Sequence, residues 1–428
     1  MEQDTFMEHS AGKKISGFTK ATAALRHRNF RLFWVGQCIS LTGTWMQNIA
    51  QAWLVLEITK SAFWLGVVSA VQFLPMLLFS LYAGTLVDRL SKKRVLILTQ
   101  AIMMVLALVL AVDTLLKTVA LWHILIIATL LGFTNTLDMP TRQAFMFELV
   151  GKEDLMNAIV LNSSIFNAAR VVGPSVAGLL IAKLGMDWCF FLNAASFVPV
   201  IAGIAMIRLK SRAAPERLQE REGLWPEIMA GLSYVRATPG ILIPMTLMAI
   251  ISIFAMNFNV LIPLYAKNVF HGGAKDFGFL MAANGAGALL GSGLLAAKSS
   301  NGPKFRNMLI AAVGICVFEL LLVPVKVYGL AYLLLGLVGV SMITFTATTN
   351  SLIQVQTPHH LRGRVMSIFA LIFAGLTPVG SLLSGAAAHA WGAPLTLLLG
   401  AMISLVSVLY LMVRHSSALQ IVSTSTKD

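Results

Sequence analysis

Gly84-Thr85-Leu86-Val87-Asp88-Arg89-Leu90-Ser91-Lys92-Lys93-Arg94 decides how this chain folds. Its five charged residues stand between an apolar run over about 62–83 and another over about 95–116. The chain is 57% hydrophobic and only 12% charged, so such a cluster is out of keeping with its surroundings. A charged side chain at the bilayer centre costs about 3 kcal/mol on insertion scales. The cluster therefore reads as a short loop at a membrane face, with a spanning helix on either side.

Working outward, twelve apolar runs are centred near Leu41, Leu74, Leu106, Ile127, Asn167, Val198, Ile251, Ala286, Val317, Leu335, Leu376 and Leu405. About 20 residues suffice to cross a hydrocarbon core of about 30 Å as a helix. Spanning strands would alternate apolar and polar over about 10 residues. These runs do not, which excludes an outer-membrane barrel. The expected fold class is an all-α membrane protein.

The net charge of +14 invites a nucleic-acid reading, but the placement of the charge argues against it. With both termini inside and the spans alternating, 25 of the 32 Lys and Arg residues fall in inside segments and six in outside loops, with Arg170 left within a span. That is the positive-inside bias, and it predicts a multi-pass protein of the inner (plasma) membrane with both termini cytoplasmic. The first residues lack the apolar stretch and small-residue site of a cleaved signal, so the first span is expected to stay as an anchor. Cys38, Cys189 and Cys316 lie in or beside apolar runs without paired spacing and read as small core residues.

The longest hydrophilic insertion, about 210–240, divides the chain into six spans plus six. The expected organisation is a cytoplasmic segment over 1–29, a six-helix bundle over 30–208, a linker over 209–240, a second six-helix bundle over 241–414 and a tail over 415–428. In the linker, Leu224, Ile228, Leu232 and Val235 share one helical face opposite Arg221, Glu222, Glu227 and Arg236, which predicts an amphipathic helix along the inner membrane surface. The halves echo each other. Leu155-Met156-Asn157 leads on to Gly173-Pro174 and Gly178, and Leu361-Arg362-Gly363 to Pro378-Val379-Gly380 and Gly385. Internal repeats with spans interrupted by Gly and Pro at matching positions mark secondary transporters.

The opening loop resembles the signature loop of the major facilitator superfamily, with Ser91 where that pattern usually has Gly. Asp138-Met139-Pro140-Thr141-Arg142-Gln143-Ala144-Phe145, then Glu148-Leu149-Val150, then Asn167-x-x-Arg170-x-x-Gly173-Pro174, resemble the branch of enterobactin (siderophore) exporters and macrolide efflux proteins. Arg31-Leu32-Phe33 and Trp53-Leu54-Val55-Leu56-Glu57 fit that branch too. The resemblance spans nearly the whole chain. It implies two pseudo-symmetric six-helix bundles, cavity walls from spans one, four, seven and ten, an inner gate built on the loop, and a monomer.

The residues support a gate by their own chemistry. Gly84 permits close helix approach, and Asp88 lies at the inner face where span eleven starts near Arg364, offering a helix N-terminus to a carboxylate. Asp138 at the inner end of span four, with Arg142 beside it, can pair with Arg89 or Arg94 as a latch. The bland alternative is that these charges only set topology. Arg170, near the midplane of span five, must face the bundle interior, a partner or water. It is a candidate for an anion or carbonyl contact, for tuning a proton site, or for a structural pair. Glu319 in span nine is the deepest acidic residue and the candidate proton carrier; since the resemblance makes span nine a supporting helix, a protonated acid beside lipid is the alternative. Gln37, Ser40, Thr44, Gln47 and Gln51 form a polar stripe on span one. With Asn257 and Phe258 in span seven and Asn350 in span ten, they are the expected substrate contacts, helix–helix bonding being the alternative for each amide.

No phosphate loop, catalytic carboxylate pair, nucleophile triad or metal-ligand cluster occurs in the sequence, so neither an enzyme nor a cofactor is expected. An ion gradient, or the solute's own, must then drive transport. A potential of 100 mV gives about 2.3 kcal/mol per charge, enough for a solute gradient of roughly fortyfold. The reading is a secondary active exporter of an amphipathic siderophore or drug by alternating access, coupled to protons as an antiporter. The alternatives are a lysophospholipid flippase or uptake transporter, and a non-transporting receptor or scaffold.

Overall fold

The structure is a computed structural model that describes residues 23–151, 153–208, 224–297 and 302–414. Regular structure among these residues is entirely helical. In a bilayer this is forced, because backbone groups in hydrocarbon must find their partners within the segment. The first half comprises α1 (Arg28–Thr59), α2 (Ala62–Arg89), α3 (Lys92–Leu115), α4 (Leu121–Val150), α5 (Leu155–Lys183) and α6 (Met186–Met206). The connecting helix α7 (Leu224–Ala237) leads to α8 (Pro239–Phe254), α9 (Phe258–Asn268), α10 (Ala274–Ala297), α11 (Phe305–Leu322) and α12 (Tyr328–Gln356). The second half is completed by α13 (His359–Gly375), α14 (Thr377–Trp391) and α15 (Ala393–Arg414).

Eleven segments are long and apolar enough to cross a membrane, with α8–α9 and α13–α14 each counting as one. The difference from the expected twelve is α1. It has 32 residues, ample for a span, but the amides and hydroxyls of its polar stripe dilute its hydropathy. The repeat is also visible in the turns. Gly185, at φ 109°, separates α5 from α6, and Gly392, at φ 83°, separates α14 from α15. Both angles lie where a β-carbon is strained, which accounts for glycine at each corner.

Within the first half, α1 packs on α5 and α6, α3 on α6, and α2 on α4; in the second, α12 packs on α10 and α11. The halves meet chiefly through two helix pairs, α5 with α10 and α2 with α14. Lipid supplies no hydrophobic drive between helices, so close approach of small residues has to hold these pairs. At the first crossing, a β-carbon on Gly278 would lie 2.5 Å from the Pro174 carbonyl oxygen and 2.9 Å from Gly178 Cα. At the second, one on Gly66 would meet the Ser381 carbonyl oxygen at 2.4 Å and Gly385 Cα at 3.0 Å. Gly178 and Gly385 are the two glycines paired by the sequence echo.

Both crossings lie toward the end of the molecule remote from the basic loops. There a single apolar core runs through both halves, joining Trp53, Leu65 and Ala177 to Leu261, Phe277 and Ala388. Toward the basic end the core splits in two. One part holds Phe30, Phe145 and Ile204 of the first half, the other Ile251, Phe345 and Val365 of the second. The face of α5 records the same change. Pro174 and Gly178 touch α10, while Met156, Val160 and Ser163, along the same face toward the basic end, are exposed. The halves are closed on each other at one end and parted at the other.

The connecting helix departs from expectation. Val235 is buried in the second-half core, Tyr234 Oη donates to the Gln356 carbonyl oxygen at 3.3 Å, and Gly231 faces Ile368. The C-terminal part of α7 is thus docked on protein rather than laid on the membrane surface. Arg221 and Glu222, half of the predicted polar face, lie outside the described residues.

Candidate transport site

Arg170 is the sixteenth of the 29 residues of α5, at mid-depth, where the two halves begin to separate. Its Nη2 donates to Asn284 Oδ1 of α10 at 3.0 Å and lies 3.6 Å from Met342 Sδ of α12. The guanidinium carbon is 5.9 Å from the ring centroid of Trp45 on α1. Trp45 in turn meets Phe166 edge-on at 5.6 Å. Asn284 is fixed by its own bond to the Leu335 carbonyl oxygen, at 3.3 Å. No carboxylate pairs with Arg170 among the described residues. Four helices from both halves therefore converge on one cation.

The other expected substrate residues do not converge with it. Gln47 accepts from Asn193 Nδ2 of α6 at 2.6 Å, so it serves the packing of α1 on α6. Thr44 bonds back to the Ser40 carbonyl oxygen of its own helix. Gln37 is buried with Nε2 unpartnered among the described residues. Asn257 Nδ2 closes onto the Ile253 carbonyl oxygen at the interruption between α8 and α9, and Phe258 is part of the shared core. Asn350 accepts from Gln354 one turn along α12. Gln51 differs from these. Its Oε1 is buried without a partner, and it lines a small cavity of about 50 Å³ between the halves with Asn48, Ser69, Gln72 and Asn259. This lies on the closed side of Arg170, beside the Ser69–Ser381 contact of 3.1 Å.

The expected latch takes a different form. Asp138 is buried and accepts from Thr99 Oγ1 at 2.7 Å, Gln100 Nε2 at 2.9 Å and Arg142 Nε at 3.0 Å. It ties α4 to α3 within the first half, whereas Arg94 is exposed and not bonded to it. A carboxylate placed for hydroxyl and amide donors one helix away has no need of Arg94. The neighbouring basic residues also act locally. Lys93 Nζ caps the end of α6 through the Ala205 and Ile207 carbonyl oxygens at 2.8 and 2.7 Å, and Lys92 pairs with Glu148 at 3.5 Å. Gly84, Asp88 and Arg89 continue α2, and their side chains lie outside the described ones.

Glu319 is completely buried in α11, with neither carboxyl oxygen partnered among the described residues. The Tyr265 hydroxyl of α9, also buried, is unpartnered too.

Sequence reasoning missed Asn284, the residue that orients Arg170. Its signal was a lone amide in a span crowded with small residues, Gly278, Gly285, Gly287 and Gly291. It also missed Lys267, whose Nζ reaches the Leu56 carbonyl oxygen at 3.5 Å and lies 5.9 Å from the Trp53 ring, joining the halves at the closed end.

Two linked halves of membrane-length helices, with a cation where they part, define a membrane transporter rather than an enzyme. Solved structures share the arrangement. A POT family transporter in complex with a thioalcohol-conjugated peptide superposes with a TM-score of 0.74 at 10% identity, covering 92% of this chain and 96% of that one. A bacterial homologue of the lysosomal transporter Spinster, in an inward-facing and unoccupied conformation, gives 0.66 at 11% identity over 94% and 97%. The chain belongs to the transmembrane secretion effector family of the major facilitator superfamily, whose profile matches residues 19–426. Among curated relatives, the multidrug efflux pump Tap of Mycolicibacterium fortuitum is 28% identical over 83% of this chain and 88% of its own length. The staphyloferrin A transporter of Staphylococcus aureus is 25% identical over 85% and 90%, and macrolide efflux protein A of Streptococcus pyogenes 24% over 83% and 88%.

Proposed function

We propose that this protein exports an amphipathic small molecule, siderophore or drug-like, across the inner membrane by alternating access, as a proton-coupled antiporter and a monomer. The observation that carries the reading is Arg170, held by Asn284 and Met342 of the second half at the level where the two halves separate. By the positive-inside bias the basic, parted end faces the cytosol, so solute enters from there and meets Arg170 at the top of the vestibule. Gln51 and the amides around it lie beyond, on the outward path. Gly84, Asp88, Arg89 and Arg94, with Asp138 and Arg142 behind them, are assigned to a gate at the cytosolic mouth. Glu319, a buried carboxyl without a partner among the described residues, is assigned to proton carriage, with Arg170 as its electrostatic counterpart.

Inverted membrane vesicles provide the test. Solute should accumulate inside them when a proton gradient is imposed and should leak away on adding an uncoupler. Accumulation only in right-side-out vesicles would reverse the direction, and uncoupler-insensitive accumulation would remove the proton.

One observation favours a lipid-like cargo as the second reading. A crevice of about 790 Å³ between α2, α3 and α4, toward the basic end, is lined by Phe79, Tyr82, Leu86, Leu98 and Phe133, all of them exposed. It would admit an acyl chain from the cytosolic leaflet. Faster movement of a lysophospholipid than of any soluble cargo in the same vesicles would select this reading.

A further inference from the structure

We propose that the transported solute is an anionic amphiphile with a planar aromatic group, its charge seated on Arg170 and its ring against Trp45 and Phe166. This rests on the export reading and names the class of cargo that the site takes.

The first ground is the unspent chemistry of Arg170. A guanidinium carries five N–H donors. Nη2 is engaged by Asn284 Oδ1 and Met342 Sδ, while Nε and Nη1 have no partner among the described residues. A neutral amide, a thioether and an indole face lower the cost of burying the cation but leave its charge uncancelled. The donor edge that remains suits a carboxylate, phenolate or phosphate, for which charge-assisted hydrogen bonds are about twice as strong as neutral ones.

The second ground is the distribution of acids. Only two lie deep within spans, Asp138 and Glu319. Asp138 is turned to α3 and bound by Thr99, Gln100 and Arg142, and Glu319 is enclosed in α11 with no exposed surface. Of the other described acids, Glu57, Asp113, Asp187 and Asp276 lie toward the closed end, while at the basic end Glu148 is paired with Lys92, Asp154 meets His27 and Glu153 is exposed. At the level of Arg170 a cationic solute thus meets no described counter-charge and would be set against Arg170. The parted end is also the basic end, with Lys92, Lys93, Arg94, Lys304, Arg306 and Arg362 around it. A mouth where bases outnumber acids concentrates anionic solutes.

The third ground is shape. Phe166 is 45% exposed, next to Trp45 and one turn from Arg170 along α5. A cation against one aromatic ring, with a second, open ring beside that one, is a site for a molecule that carries a negative charge on a flat ring.

Fluorescein and rhodamine 6G share a xanthene core and differ in the sign of their charge, so they serve as the probes. Binding to the full-length protein in lipid nanodiscs is read by fluorescence anisotropy, with empty nanodiscs subtracted. Fluorescein should bind at least about tenfold more tightly than rhodamine 6G. Arg170→Gln should weaken fluorescein about ten- to a hundredfold and should strengthen rather than weaken rhodamine 6G, and Arg170→Lys should recover part of the fluorescein loss. Should Arg170→Gln fail to fold, the preference of the unaltered protein between the dyes decides, together with weaker fluorescein binding as salt rises. Equal affinity, a preference for rhodamine 6G or binding of neither dye would overturn the proposal. Inverted vesicles separate this from the export reading: transport of rhodamine 6G but not fluorescein leaves export standing and removes the anion, whereas no flux of any solute removes export itself.

Discussion

The substitution Gly278→Ala adds one methyl group at the α5–α10 crossing, and its effect can be worked from the backbone. The new carbon would stand 2.5 Å from the Pro174 carbonyl oxygen and 2.9 Å from Gly178 Cα. Ordinary contact begins at 3.4 Å, so the two helices must part by roughly 0.9 Å at this level. The obstructing atoms are backbone, with no flexible side chain to swing aside. Overpacking of this kind costs about 1–3 kcal/mol. The cost falls only on the conformation in which the halves are closed at the end remote from the basic loops. The balance between closed and open forms should therefore move about 5- to 150-fold toward opening at that end. Spin labels at Lys60→Cys and Lys326→Cys, one on each half beyond the crossing, read this as a longer distance distribution in the folded protein. The native cysteines Cys38, Cys189 and Cys316 are replaced beforehand. An unchanged distribution in normally folded Gly278→Ala protein would refute the view that this crossing is the closed-end contact.

Three further substitutions test other parts of the account. Asp138→Ala should cost about 3–5 kcal/mol by leaving Arg142 buried without its carboxylate, seen as a lower melting temperature, and adding Arg142→Leu should restore part of it. Glu319→Gln should keep downhill exchange of solute but abolish accumulation that an uncoupler can collapse; retained uphill accumulation would take the proton away from this carboxyl. Asp88→Asn should cut transport sharply at unchanged membrane abundance, and undiminished flux would remove it from the gate.

The sequence made the spans and the special status of Arg170 legible because both follow from the cost of charge in hydrocarbon. It did not disclose what Arg170 touches. Asn284 and Met342 are 114 and 172 residues away and meet it only once the halves have docked. The stripe on α1 was correctly seen as a face, but a helical period does not say which neighbour each residue faces. Gln47 turned to Asn193, while Gln51 turned to the cavity between the halves. The partners of Asp138 in this form were not legible for the same reason, since the rotation of α3 brings Thr99 and Gln100 within reach. In the second half, Pro378 and Gly380 foretold the break before α14, whereas nothing in Ala255-Met256-Asn257 announces the one before α9.

Those two breaks are sharper than anything in the matching helices of the first half, where α1 and α5 stay continuous over 32 and 29 residues and Pro174 removes a single backbone donor from α5. Wherever the ladder of backbone bonds lapses, a rod becomes two jointed pieces that flex cheaply. The molecule is accordingly lopsided in its mechanics, a stiff partner working against a pliant one. Cargoes of different girth can then be accommodated by articulation on one side, while the stiff side keeps Arg170 at a constant address.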